Sequence, residues 1–130
     1  MPAAASRRWL VDGSNVVGSR PDGWWRDRRA AFARMAEELD HFAGAGDDEV
    51  TVVFDGGPLP PVSGSRVRVV CADSADDRIV ELASADADPS SLTAVTSDRA
   101  LAERVRRTGA TVMGAGSFRR RLDDAGRHVP

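Results

Sequence analysis

Five short apolar runs punctuate the chain, and amphipathic segments fill most of the space between them. Arg8 to Val11 is the first run, and it stops at Asp12-Gly13 as a buried strand stops at its turn. A polar loop with Pro21-Asp22-Gly23 and Trp24-Trp25 follows. From about Asp27 to Phe42, the residues Phe32, Met35, Leu39 and Phe42 recur at helical spacing, with Gly44 and Gly46 as a stop. Val50 to Phe54 predicts a second strand ending at Asp55-Gly56-Gly57, and GGPLPPVSGS predicts a loop. Arg66 to Cys71 alternates into a third strand. Ser74 can cap the next helix, Asp76 and Asp77 suit the positive end of its dipole, and Ile79, Leu82 and Ala83 form its apolar side. Pro89 breaks the chain before a fourth strand, Leu92 to Val95, which runs into Thr96-Ser97-Asp98. Leu101 and Val105 mark another helix closed by Gly109, Ala110 to Met113 is a fifth strand, and a last helical piece covers Ser117 to Asp124.

Strands that alternate with helices and are almost continuously apolar predict an α/β fold. The expected architecture is one domain over residues 1–130, a mostly parallel five-stranded sheet with helices on both faces. No repeat, low-complexity tract or linker divides it.

In a parallel sheet, ligands bind beyond the carboxyl ends of the strands. Asp12, Asp55 and Asp98 follow strands one, two and four, and Asp76 opens the helix after strand three, so all four belong to one edge. Oxygen-only donors suit hard cations such as Mg²⁺ and Mn²⁺, and a metal at such an edge supports phosphoryl chemistry. His41 and His128 lie away from these turns, which removes a zinc pattern. Aspartate between a strand and a glycine is also ordinary turn chemistry, and Asp76, Asp77 and Asp98 can cap helices. Spacing alone leaves a metal site and a set of well-capped loops both standing. Gly13 is expected to let the chain turn away sharply after Asp12, with Val16-Val17 anchoring the loop and Asn15 adding a neutral polar group.

Composition narrows the chemistry. All 18 basic residues are arginine, so every mechanism that needs a lysine is excluded. Gly13 to Gly18 has the glycine spacing of a phosphate loop, but Ser19-Arg20 stands where Lys-Ser/Thr is required. Ser14 removes an Asp-x-Asp phosphatase pair, and no Gly-x-Ser-x-Gly elbow is present. Cys71 is the lone cysteine and cannot form an internal disulfide. No segment approaches membrane-spanning length and the start reads as no secretory signal, so the expected location is cytoplasmic with no membrane partner.

The segments VDGSNVVGS, VVFDGGP, DSADDRIVELA and VTSDRALAERVRRTGATVMGAGSF together resemble the NYN domains of the PIN-like nuclease superfamily, in the YacP-like bacterial branch. The resemblance covers about residues 8–118. It implies a compact parallel α/β fold and a Mg²⁺- or Mn²⁺-dependent endoribonuclease that cleaves phosphodiester bonds with metal-activated water. On that pattern Asp12, Asp76 and Asp98 match the acidic metal residues and Asn15 their polar partner, all four being catalytic candidates. Asp77 and Asp55 are the possible additional acids. Ser14 stands where an aromatic is frequent in the branch, and the usual fourth carboxylate has no unambiguous match. Two other readings use the same residues: a catalytically inactive RNA- or protein-binding module, and a nucleotide phosphohydrolase.

RNA affinity needs cations on phosphates. Arg20, Arg26, Arg28 and Arg29 surround the first loop, Ser97 and Arg99 lie beside Asp98, and Arg119-Arg120-Arg121 lies near the end. Trp24 and Trp25 can stack on unpaired bases; the alternative is that one of them packs over the sheet edge. The expected partner is RNA, single-stranded or structured, with ribosome-associated control as one setting, acting as a monomer or weak homodimer. A net charge of −2 argues against broad, unspecific nucleic-acid binding.

Overall fold

The structure, a computed structural model, describes residues 7–19, 23–57 and 66–127. Five strands, β1 (Arg8–Asp12), β2 (Glu49–Asp55), β3 (Val67–Ala72), β4 (Leu92–Val95) and β5 (Thr111–Met113), form one sheet in the order β3-β2-β1-β4-β5. Every pairing is parallel. The helices are α1 (Gly13–Val17), α2 (Arg28–Gly46), α3 (Ala75–Ala85), α4 (Arg99–Arg106) and α5 (Ala115–Arg127). This is the small five-stranded α/β domain that the apolar runs predict.

Side chains alternate across a strand, so each run feeds two cores. Trp9, Val11, Val52 and Phe54 join Phe32, Leu39 and Phe118 under α1, α2 and α5. Leu10, Val53 and Ala94 join Ile79, Leu101 and Val105 under α3 and α4. A strand covered on both faces has no polar side to show, which is why the runs read as continuously apolar. Phe32 stacks on Phe54 with ring centroids 4.5 Å apart.

Three local expectations change. The residues after Asp12 are helical, not a loop: Asp12 caps α1, and Val16 and Val17 are buried beneath it. Helix α2 runs past Gly44 to Gly46, and Asp47 takes the left-handed position, φ 55°, that a glycine was expected to fill. The extra turn delivers Asp48, whose Oδ2 accepts the Trp9 indole N–H at 2.9 Å. Helix α5 starts at Ala115 and reaches Arg127, longer than the expected 117–124 piece, because Phe118 and Leu122 seal the core beside Trp9.

Gly13 does not provide a left-handed turn; its backbone is helical. It is glycine because α1 begins in contact with β2: a Cβ there would lie 2.3 Å from Phe54 Cε1 and 2.8 Å from Val52 Cγ2. Gly13→Ala therefore forces two core side chains apart. The expected cost is about 1–3 kcal/mol of folding stability, read as a lower denaturant midpoint with unchanged slope.

Candidate active site

With all strands parallel, every carboxyl end opens on one edge, and β1 sits in the middle of it. The chain proceeds from β1 to β2 on one side and returns to β4 on the other, so β1 and β4 flank the switch point. Asp12 ends β1 there and is only 5% exposed. Its Oδ2 accepts the Thr96 hydroxyl at 2.9 Å, and its Oδ1 accepts the Asn15 N–H at 3.4 Å. Thr96 Oγ1 in turn accepts the Asp98 N–H at 3.1 Å. Asn15 Oδ1 accepts the Ser97 N–H at 2.9 Å, and Ser97 Oγ accepts the Ala115 N–H at 2.8 Å. One chain of hydrogen bonds thus joins the ends of β1 and β4 to the start of α5.

The other acids are fixed from their own elements. Asp98 caps α4 by accepting the Leu101 N–H at 3.1 Å. The Asp55 N–H donates to Ser14 Oγ at 3.3 Å, while Asp55 Oδ1 accepts the Ala75 N–H at 3.0 Å and so anchors the start of α3 beside β2. Asp76 lies in the first turn of that helix. Asp77 engages Arg104 of α4 at 3.0 Å, so its charge is answered within the protein.

Electrostatics ties four of these carboxylates together. Burial, above all, pushes Asp12 from 3.8 to about 6; the bonds from Thr96 and Asn15 oppose the rise, and the charges of Asp76 and Asp55 add to it. Asp76 is also raised, first by burial and then by Asp98 and Asp55, with Arg104 opposing. Among the described residues, no three Asp, Glu, His or Cys side chains converge closely enough to hold an ion directly. The donors present are all oxygen, and Mg²⁺ typically keeps several waters while using one or two carboxylates, so the set fits a hydrated hard cation.

The aromatic loop divides. Trp24 is half-buried against the core, with Arg28 5.8 Å over its ring, whereas Trp25 is 55% exposed with Arg26 5.9 Å over its ring. Arg99 follows Asp98, opens α4 and shares with Thr96, Ser97, Arg106 and Gly114 a recess of about 560 Å³ that none of the four acids lines. Arg20 lies outside the described residues. A different cavity, about 310 Å³ between Arg8, Glu49, Arg68 and Asp86, is at the amino ends of the strands, away from this chemistry.

The family model of the YacP-like NYN domain matches residues 9–129. This chain belongs to that family. Two solved structures share the fold: a tryptophan-to-leucine mutant of Rae1 (YacP) from Bacillus subtilis, with TM-score 0.79 over 93% of this chain and 77% of that one, and Rae1 (YacP) itself, with TM-score 0.78 over 92% and 75%. Both are 24% identical to it. No curated protein matches the chain significantly. The fold of this NYN domain is of a nuclease type.

Thr96 is the site residue that the sequence reading passed over. Its signal was present: a hydroxyl directly after the apolar run LTAV, two positions before Asp98, on a side chain now 3% exposed. Ser14 ties the ends of β1 and β2 through the Asp55 N–H.

The folded NYN domain holds the Asp12 proton more tightly than the unfolded chain does. The stability this contributes is complete below about pH 4 and lost as pH rises through about 6. Asp12→Asn is therefore expected to be more stable than the wild type at pH 7.5 by about 2–3 kcal/mol, with the advantage vanishing near pH 4. Thermal melts of both proteins across that range check it.

Proposed function

We propose that this domain is a divalent-metal-dependent endoribonuclease, with RNA phosphodiesters as its substrate. The observation that carries the reading is the gathering of Asp12, Asp55, Asp76 and Asp98 at the carboxyl edge of an NYN-family fold, where Asp12 and Asp76 are raised first by burial and then by their acidic neighbours. Like charges held at this density, one of them buried, favour a cation between them.

Asp12, Asp76 and Asp98 would hold a hydrated ion, one or two of them directly and the rest through its waters. When bound, Mg²⁺ or Mn²⁺ supplies an activated water and offsets the charge that develops on the phosphate. The protein's own part is positional. Thr96 fixes the rotamer of Asp12, and the cap on Leu101 fixes Asp98. Asp55 acts through α3, setting Asp76 by its bond to the Ala75 N–H. Asn15 uses its Oδ1 on Ser97, which leaves its Nδ2 to donate to a phosphate oxygen. Arg99, next to Asp98, and Arg26 with Trp25 at the rim supply cations and a stacking face for an unpaired base.

The test is cleavage of single-stranded and structured RNA with Mn²⁺ and with EDTA. Asp12→Asn and Asp98→Asn are expected to lose about a hundredfold or more of the rate, and equal cleavage by both would overturn the assignment. Thermal melts of Asp12→Asn, expected to show a gain in stability at pH 7.5, separate its loss of rate from unfolding. Trp25→Ala is expected to cost about 1–3 kcal/mol of affinity for single-stranded RNA and nothing in melting temperature, measured by anisotropy and by thermal scan.

A non-catalytic RNA-binding module is the second reading, favoured by the lack of three directly convergent ligands among the described residues. RNA binding insensitive to EDTA, with no cleavage under any metal, would establish it.

A further inference from the structure

Across α1 from the acids lies a smaller cavity of about 190 Å³, lined by Val17, Trp24, Arg34, Met35, Glu38 and Arg119. Asn15 bonds toward Ser97, and Val17 two residues later lines this cavity. Two residues along an α-helix turn by about 200°, so the two side chains leave α1 on opposite sides. A water takes about 30 Å³ in the liquid, so the space admits a phosphate group together with water.

The walls are cationic in balance. The Arg119 side chain is 11% exposed and donates from Nη1 to Glu38 Oε1 at 3.0 Å. Its Nε is buried with no hydrogen-bond partner among the described residues. Arg34 lines the same space and has no ion-pair or hydrogen-bond partner among the described residues. Two guanidinium groups therefore face one carboxylate, and one buried N–H still lacks an acceptor. A buried donor without an acceptor is rare in folded proteins, and an arginine edge is the group best shaped to take an oxyanion.

We infer that the cavity between α1, α2 and α5 is a phosphate subsite for the RNA strand, a step that rests on RNA being the substrate. The acidic edge repels phosphates unless a cation is bound, so binding that does not depend on metal has to come from its flanks. Trp24 walls the cavity and stands edge-on to the exposed Trp25, with centroids 6.3 Å apart. A strand stacked on Trp25 thus has its adjacent stretch of backbone close to the cavity that Trp24 walls, where Arg34 and Arg119 stand. Glu38 takes part of the Arg119 charge when no RNA is bound.

Binding of a 5′-hydroxyl oligoribonucleotide, followed by anisotropy in EDTA over a range of salt, tests the subsite. Arg34→Gln is expected to weaken binding about threefold to tenfold for every sequence and to reduce the log–log salt slope by about 0.7, the value of one lost phosphate contact on a single strand. Glu38→Gln, which frees Arg119, is expected to tighten binding. Arg119→Gln is expected to match Arg34→Gln, with its melting temperature recorded because it breaks the link between α2 and α5. Arg68→Gln, at the amino ends of the strands, is expected to change nothing. Wild-type affinity and slope in the Arg34 and Glu38 variants would overturn the subsite while leaving RNA as substrate. A wild type without RNA affinity would remove the substrate and the subsite together. Inorganic phosphate titrated alone is the remaining arm: binding lost in Arg34→Gln, with the RNA slope unaltered, would make this a free-anion site and overturn the assignment to the strand.

Discussion

The hydrogen bond from Thr96 to Asp12 spans the one place in the sheet where the chain changes direction, and much of the surrounding architecture is arranged to hold it. A carboxyl with 5% of its surface exposed is costly to ionise, and the cost shows in a pKa near 6. Two donors reduce that cost without abolishing it. Thr96 reaches Oδ2 because β4 is the neighbour of β1, and the Asn15 N–H reaches Oδ1 because α1 begins at the next residue. That start is possible only without a side chain at Gly13, where Phe54 and Val52 press against the helix. Each element depends on the one before it.

The same network ties the carboxyl edge together across elements that are distant in sequence. Asn15, Ser97 and Ala115 connect β1, β4 and α5, so the amide and the loop after β4 cannot shift independently. Asp55 does the equivalent on the other side, holding α3 and hence Asp76. What the fold leaves unanswered is charge. Asp77 has Arg104 and Asp86 has Arg8, whereas Asp12 and Asp76 remain raised, first by burial and then by their acidic neighbours. Asp12, Asp55, Asp76 and Asp98 stand at the carboxyl edge, while Arg34 and Arg119 line a cavity across α1, so a chain of formal charge −2 carries acidic and basic groups on either side of that helix. A phosphate backbone and a divalent cation are the pair of ligands that such groups suit together.

Much of this was legible in the chain because the relevant signals are local. Period-two and period-3.6 patterning located five strands and the main helices, and unbroken apolar runs implied a sheet covered on both faces. Aspartates at strand ends were visible as such, and their common edge follows from parallel strands alone. The differences were local as well: Gly46 is the last residue of α2, as the glycines suggested, but Asp47 rather than a glycine takes the left-handed position that closes it.

Strand order, by contrast, is a matter of pairing between segments up to 84 positions apart, as between Asp12 and Thr96, and no spacing encodes it. Only the folded chain decided that β1 lies between β2 and β4, that Asp12 is dry, and that Thr96 is its partner. It also decided that Asp77 is spent on Arg104 and that Trp24 packs while Trp25 is exposed. Gly13 was noticed for its freedom and proved to matter for its lack of bulk. The sequence by itself determined which groups stand at the edge, since turn chemistry and periodicity act within a few residues. The tertiary structure decided which of them meet, because burial and repulsion act through space between groups that the chain keeps far apart.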